Sequence, residues 1–144
     1  DWLDYNGHMN ESRYLQVFSD ASDAMLHLIG MDEKYRSLDF SFYTVETHIR
    51  HLNEVGASEP IFVETQLLGF DEKRIRINHL LIHSSSGNTL ATGEHMLIHV
   101  NTEKGRAVQM GKAIYEILEK IWEGHQNLAV PEYAGKGILK LKNL

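Results

Sequence analysis

One long amphipathic segment constrains this chain more than anything else in it. Between Asn10 and Ile29, apolar side chains fall at Tyr14, Leu15, Phe18, Ala21, Met25, Leu28 and Ile29. That recurrence, near i, i+4, i+7, i+11 and i+14, is one face of a helix. Asn10 suits the N-cap, Glu11 meets the helix dipole in the first turn, and Gly30 stands where a C-cap glycine belongs. A helix of roughly five turns is long for a chain of 144 residues. It must be a central packing element on which the rest folds.

Beyond this helix the apolar pattern changes to period two. Residues 42–50 alternate Tyr43, Val45, Thr47 and Ile49 against Thr44, Glu46, His48 and Arg50, a strand with one apolar face. Asn53 to Pro60 reads as a turn, and Ile61 to Leu68 as a second strand. Lys73 to His83 is a third strand, followed by a hairpin loop at Ser84–Asn88, and Thr89 to Val100 is a fourth. Arg106 to Gln109 suggests a short edge strand. Helical periodicity returns from Lys112 to Trp122 through Ile114, Ile117, Leu118 and Ile121, with Gly124 as the expected stop. Gly137 to Leu144 offers a last strand. The order is helix, antiparallel strands, helix, an α+β arrangement. With two prolines and no Pro-rich linker, a single domain over residues 1–144 is expected.

Composition removes several function classes. The formal net charge is −6 with no basic run, a poor match to nucleic acid or an anionic membrane. No apolar run approaches the roughly 18–20 residues of a membrane span, and no signal-peptide pattern opens the chain. There is no cysteine, so disulfides, thiolate metal sites and a cysteine nucleophile are excluded, and a cytoplasmic enzyme is expected. The nine histidines include the pairs His79/His83 and His95/His99 at i, i+4. Both pairs lie in strand-like segments, away from any helical metal motif, so no metal is expected.

The densest polar cluster precedes the long helix: Asp4, Tyr5, Asn6, Gly7, His8, Met9, Asn10. Gly7 allows a bend with positive φ, and the helix behind it offers unpaired N–H groups and a positive dipole end. Those donors suit a developing oxyanion, while Asp4 or His8 moves a proton or attacks. A plain turn with an N-cap accounts for the same residue types. Elsewhere, Glu46 shares a strand face with His48, where a pocket carboxylate and a solvated face are the alternatives. Lys73, Arg74 and Arg76 cluster after a turn, either toward phosphates or as a solvated face. Trp2 and Tyr5 flank the motif and suit a cage for a quaternary ammonium group, whereas Tyr14 and Phe18 suit core packing.

The run Asp-Tyr-Asn-Gly-His-Met-Asn-Glu-Ser-Arg-Tyr at 4–14, leading into a long helix and strands, resembles the signature of hotdog-fold acyl thioesterases. It is similar to the Asp-x-x-Gly-x-x-x-x-x-x-Tyr of the 4-hydroxybenzoyl-CoA thioesterase family and to the Asp-x-Asn-x-His-x-Asn of acyl-carrier-protein thioesterases. The segment Glu46–Val55 fits as well, and the resemblance covers roughly residues 1–100. More narrowly, residues 1–11, the Phe-Ser-Asp-Ala-Ser-Asp-Ala helix and Gln66–Asp71 resemble betainyl-CoA thioesterases of carnitine degradation, which occur alone or fused to carnitine dehydrogenase.

The resemblance implies an antiparallel sheet wrapped around a long central helix, and an acyl-CoA substrate with no cofactor. It implies that Asp4 attacks the thioester carbonyl or activates water, and that Asn6 and His8 position carboxylate, water or substrate. The backbone N–H near Glu11 would polarise the thioester oxygen. Tyr5, Asn10, Tyr14, Glu46 and Trp2 are the expected substrate-binding residues. Proteins of this kind dimerise through the sheet, so a homodimer or homotetramer is expected. In this family a strand usually precedes the motif; here only Asp1, Trp2 and Leu3 do, so that strand is either short or lies upstream. Thioesterases for other short or aromatic acyl-CoAs, and a non-catalytic acyl-CoA-binding module, share this signature. The requirement for an ionised Asp4 separates hydrolase from binding module.

Overall fold

The computed structural model describes residues 1–142. The long helix α1 spans Glu11–Leu28, and the Asn10 side chain caps it by accepting the Ser12 N–H. A one-turn helix α2 (Glu33–Arg36) leads into β1 (Phe40–His51), followed by β2 (Ile61–Phe70), β3 (Arg74–His83) and β4 (Thr89–Asn101). β5 (Arg106–Ala107) is shorter than the expected 106–109, and α3 spans Lys112–His125. The sheet is antiparallel in the order β1-β4-β3-β2, with β5 added to β4. No helix of the described residues is long and apolar enough to cross a membrane.

α1 lies on one face of this sheet. Tyr14, Phe18, Met25 and Ile29 are buried as the spacing requires, and Leu26, outside the expected face, is buried too. Leu15 and Leu28, expected on the same face, are 48% and 72% exposed, because the stripe is rotated toward Ser22 and Leu26. Two apolar clusters result. Met9, Tyr14, Phe18, Val55, Leu81, Leu90 and Ala91 pack around the first half of α1. Met25, Ile29, Leu67, Ile75, Ile77, Leu97, Ile114 and Leu118 join its second half to α3. Each fully buried Leu, Ile or Phe among them contributes roughly 1.5–3 kcal/mol.

Three expectations change. β1 has a bulge between Thr44 and Glu46, so the alternation reverses at Val45. Phe42 is buried, and Tyr43 and Val45, expected inward, are 51% and 57% exposed. α3 continues through Gly124 to a C-cap at Gln126, because one glycine costs only about 1 kcal/mol inside a helix and the last turn still packs beside β2, where His125 Nδ1 accepts the Leu67 N–H. Residues 137–142 form no strand, and the rest of that expected strand, residues 143–144, lies outside the described residues. Instead the segment after α3 crosses the outer sheet face. Gln66 donates to the Ala129 carbonyl, Arg50 stacks on Tyr133, and the Gly135 N–H meets Glu94.

Candidate active site

The motif forms a tight hairpin rather than an open loop. The Asp4 N–H donates to the His8 carbonyl at 2.7 Å, the Gly7 N–H to the Asp4 carbonyl at 3.1 Å, and Leu3 bridges Met9. Gly7 has φ +77, which is why a glycine stands there. Asp4 Oδ1 accepts the N–H groups of Asn6 (2.8 Å) and His8 (3.2 Å), so the carboxylate organises its own loop. The Leu3–Met9 bridge is all that stands, among the described residues, of a strand before the motif.

Two further sets of bonds seat the hairpin. The Asn10 N–H donates to the Trp2 carbonyl, and the Met9 N–H to the Val55 carbonyl. His8 bridges Gly56, and His8 Nε2 lies 3.4 Å from Glu54 Oε2. The 53–60 loop thus backs the motif. Its own brace is Glu59, whose carboxylate accepts the Gly56 N–H and faces His83 Nε2 at 3.1 Å. Those two bonds, Gly56 first, hold the Glu59 carboxyl below the usual carboxylate range. At the start of α1, Asn10 takes the Ser12 and Arg13 N–H groups through its side chain and carbonyl. The Glu11 N–H, next in line, has no such partner within the helix.

Tyr14 is buried one helical turn below, with its ring edge-on to His51 at 4.7 Å. Burial, and then the negative charges of Glu54 and Asp4, raise its phenol above the ordinary value. Asp4, His8, Tyr14, His51 and Glu54 therefore share one neighbourhood. Trp2 is 40% exposed with the Arg13 guanidinium 5.2 Å from its ring centroid, and Tyr5 is 98% exposed, so the two rings form no closed cage by themselves. Glu46 lies elsewhere. It lines an outer-face cleft with His48, Arg76, Glu94 and residues 135–137, among which there is no motif residue. His51, Glu54 and Glu59 belong to the site's surroundings although sequence reasoning did not select them; the signal for His51 and Glu54 was the 46–55 segment, which matched the family pattern as a block, and Glu59 lies beyond it.

The basic cluster after β2 is largely spoken for. Arg74 donates twice to Asp71 Oδ2 (2.8 and 2.6 Å), and Arg76 pairs with Glu94. Three strand histidines are core residues, His79 and His95 under α1 and His99 under α2. His79 is held between Ser22 Oγ and Thr65 Oγ1, both at 2.8 Å, and His95 faces Thr47 Oγ1 at 3.1 Å. His99 faces the Tyr35 hydroxyl at 2.7 Å and the Val108 carbonyl at 2.9 Å. Burial pushes His79 down to about 3 and lowers His95 and His99 as well. No group of three or more His, Cys, Asp or Glu side chains suited to a metal ion occurs among the described residues.

Comparison with known proteins agrees with this geometry. Residues 1–118 match the model of the thioesterase-like superfamily. The L-carnitine dehydrogenase/betainyl-CoA thioesterase of Agrobacterium fabrum is 51% identical over 137 residues, which are 95% of this chain and 28% of that protein. This chain thus spans under a third of the length of such two-part relatives. The betainyl-CoA thioesterase of Pseudomonas aeruginosa is 40% identical over 139 residues, 96% of this chain and 87% of that one. A Staphylococcus aureus protein solved in complex with CoA shares the fold, with a TM-score of 0.91 at 23% identity over 97% of this chain and 89% of that one. The chain therefore belongs to the thioesterase-like superfamily and carries its hotdog fold.

Proposed function

We propose that this chain, acting as one thioesterase domain over residues 1–144, hydrolyses a small acyl-CoA to the free acid and CoA, with betainyl-CoA as the preferred substrate. The observation that carries the proposal is the identity of 40% with a betainyl-CoA thioesterase over 87% of that protein, coupled to a hairpin that holds Asp4 beside the start of α1. Asp4 either attacks the thioester carbonyl, expelling the CoA thiolate and leaving an anhydride that water cleaves, or takes a proton from water as water attacks. In both routes the C–S bond breaks and the thiolate gains a proton. Asn6 and His8 position the carboxylate and the water. The Glu11 N–H, at the positive end of α1, receives the developing oxyanion. Tyr5, Asn10 and Trp2 face the substrate from the hairpin, Tyr14 from beneath, and Glu46 is the least supported of the set because it lies apart.

The proposal includes a cytoplasmic enzyme assembled as a homodimer or homotetramer. The open edge of β1, with Tyr43 and Val45 exposed, supports assembly. Thiol release from a panel of betainyl-, acetyl-, hexanoyl- and 4-hydroxybenzoyl-CoA tests the activity. Preference for betainyl-CoA is the expected result. Turnover of neutral acyl groups alone overturns the substrate, and binding without turnover overturns the hydrolase.

A further inference from the structure

Beside the hairpin lies a cleft of about 360 Å³, lined by Trp2, Leu3, Met9, Val55, Ile61 and Glu59, with loop backbone between. Its side-chain walls are mostly apolar and aromatic; Asp1 and Glu59 are the two acids that line it, and Glu59 is unusually constrained. One Glu59 oxygen accepts the Gly56 N–H and the other meets His83 Nε2. His83 Nδ1 in turn accepts the Ser86 N–H at 3.2 Å, which places the neutral ring's proton on Nε2 and makes Glu59 the acceptor. The carboxylate is thus fixed in place with a hydrogen bond on each oxygen, while its negative charge remains.

Such an anion discriminates between kinds of cation. A primary ammonium needs several acceptors for its N–H groups, and Glu59 offers only the lone pairs that its Gly56 and His83 bonds leave free. A quaternary ammonium has no N–H; it needs negative field and a π surface. Arg13, stacked over Trp2 and bonded to Gln16 and the Asp1 carbonyl, fixes the indole but does not line the cleft. Leu3 and Met9, which line the cleft, pair with each other in the hairpin and are the chain neighbours of Asp4 and His8, so the cleft borders the motif, although Asp4 itself does not line it.

We infer that this cleft is the subsite for the quaternary ammonium head of the acyl group, with Glu59 as the fixed counter-charge and Trp2 as the aromatic wall. The inference rests on the proposed function and names the residues that set its specificity. Its test is the ratio of kcat/KM for betainyl-CoA to that for 3,3-dimethylbutyryl-CoA, the neutral isostere of the same shape. Glu59→Gln lowers this ratio about tenfold, and Trp2→Leu lowers it several-fold, as expected for a charge and a cation–π contact. If Glu59 only braces the loop, both substrates suffer equally and the ratio stays put, which overturns the inference. A binding readout is independent of turnover: tetramethylammonium titrated against the wild-type protein shifts the Trp2 indole N–H resonance saturably, and Glu59→Gln weakens that binding about tenfold. No saturable shift at Trp2 overturns the subsite even if betainyl-CoA is hydrolysed. A shift in a protein that hydrolyses no thioester supports the subsite and overturns the proposed function.

Discussion

The motif hairpin at the start of α1 and the histidine layer under its middle both gather polar side chains, yet they are built in opposite ways. In the hairpin, backbone N–H groups satisfy the Asp4 carboxylate and the side chains stand at the surface. In the histidine layer, side chains meet side chains, from Ser22 through His79 to Thr65, between two apolar clusters, while the buried His95 Nε2 has no hydrogen-bond partner among the described residues. The first arrangement leaves charge accessible to a substrate. The second makes a charged form costly, and burial holds His79 neutral. Polar residues of the same types thus stand accessible, where chemistry is proposed, in one place and tie the helix to the sheet in the other.

Substitutions can break this contrast, beginning with the largest effect. Asp4→Asn keeps an oxygen to accept the Asn6 and His8 N–H groups, so the fold persists, while thioester hydrolysis falls by about 10²–10⁴-fold. Steady-state thiol release together with thermal unfolding checks both halves. Full activity in this variant would make the hairpin a turn and nothing more.

Gly93→Ala strikes the other region. A Cβ at residue 93 would sit 2.7 Å from Phe18 Cδ2 and 3.0 Å from His95 Nε2. The overpacking lowers stability by about 1–3 kcal/mol, read from the denaturation midpoint. Next comes pH. His79 has a folded value depressed to about 3 from 6.5, so the unfolded chain binds the extra proton between those values. Its contribution is complete above about pH 6.5 and declines as pH falls toward 3, at no more than about 1.4 kcal/mol per pH unit. Comparing the pH dependence of unfolding in wild type and His79→Gln isolates that slope, which is shallower in the variant. The smallest effect belongs to Glu54→Gln. The His8–Glu54 pair is exposed, so its loss changes stability by less than about 0.5 kcal/mol. A larger loss would mean that charge, rather than backbone bonding, seats the hairpin.

Much of this architecture is legible in the residues. The period of α1, the four long strands and the cluster from Asp4 to Asn10 all stand within a few positions of where the sequence pattern puts them. Local pattern could not reveal the reversed face of β1, because a bulge adds a residue without a composition signal at Val45. Nor could it sort the histidines. His79 and His83 share a strand, but one meets Ser22 from the helix and the other meets Glu59 from a loop. Those partners are 57 and 24 residues away, and only the assembled sheet brings them in. The same distance in sequence hid Glu59, which has the local setting of an ordinary turn.

The bulge at Val45 also bears on how the molecule avoids unwanted company. β1 is twelve residues long and bonded on one side only, and an unbroken edge of that length is a template for polymerisation by stray strands. Interrupted near its middle, that edge presents two short, differently twisted stretches in place of one flat rail. A strand joining it must carry a matching irregularity or bind half the edge. The edge thereby selects its partner, and promiscuous fibre growth along it is disfavoured.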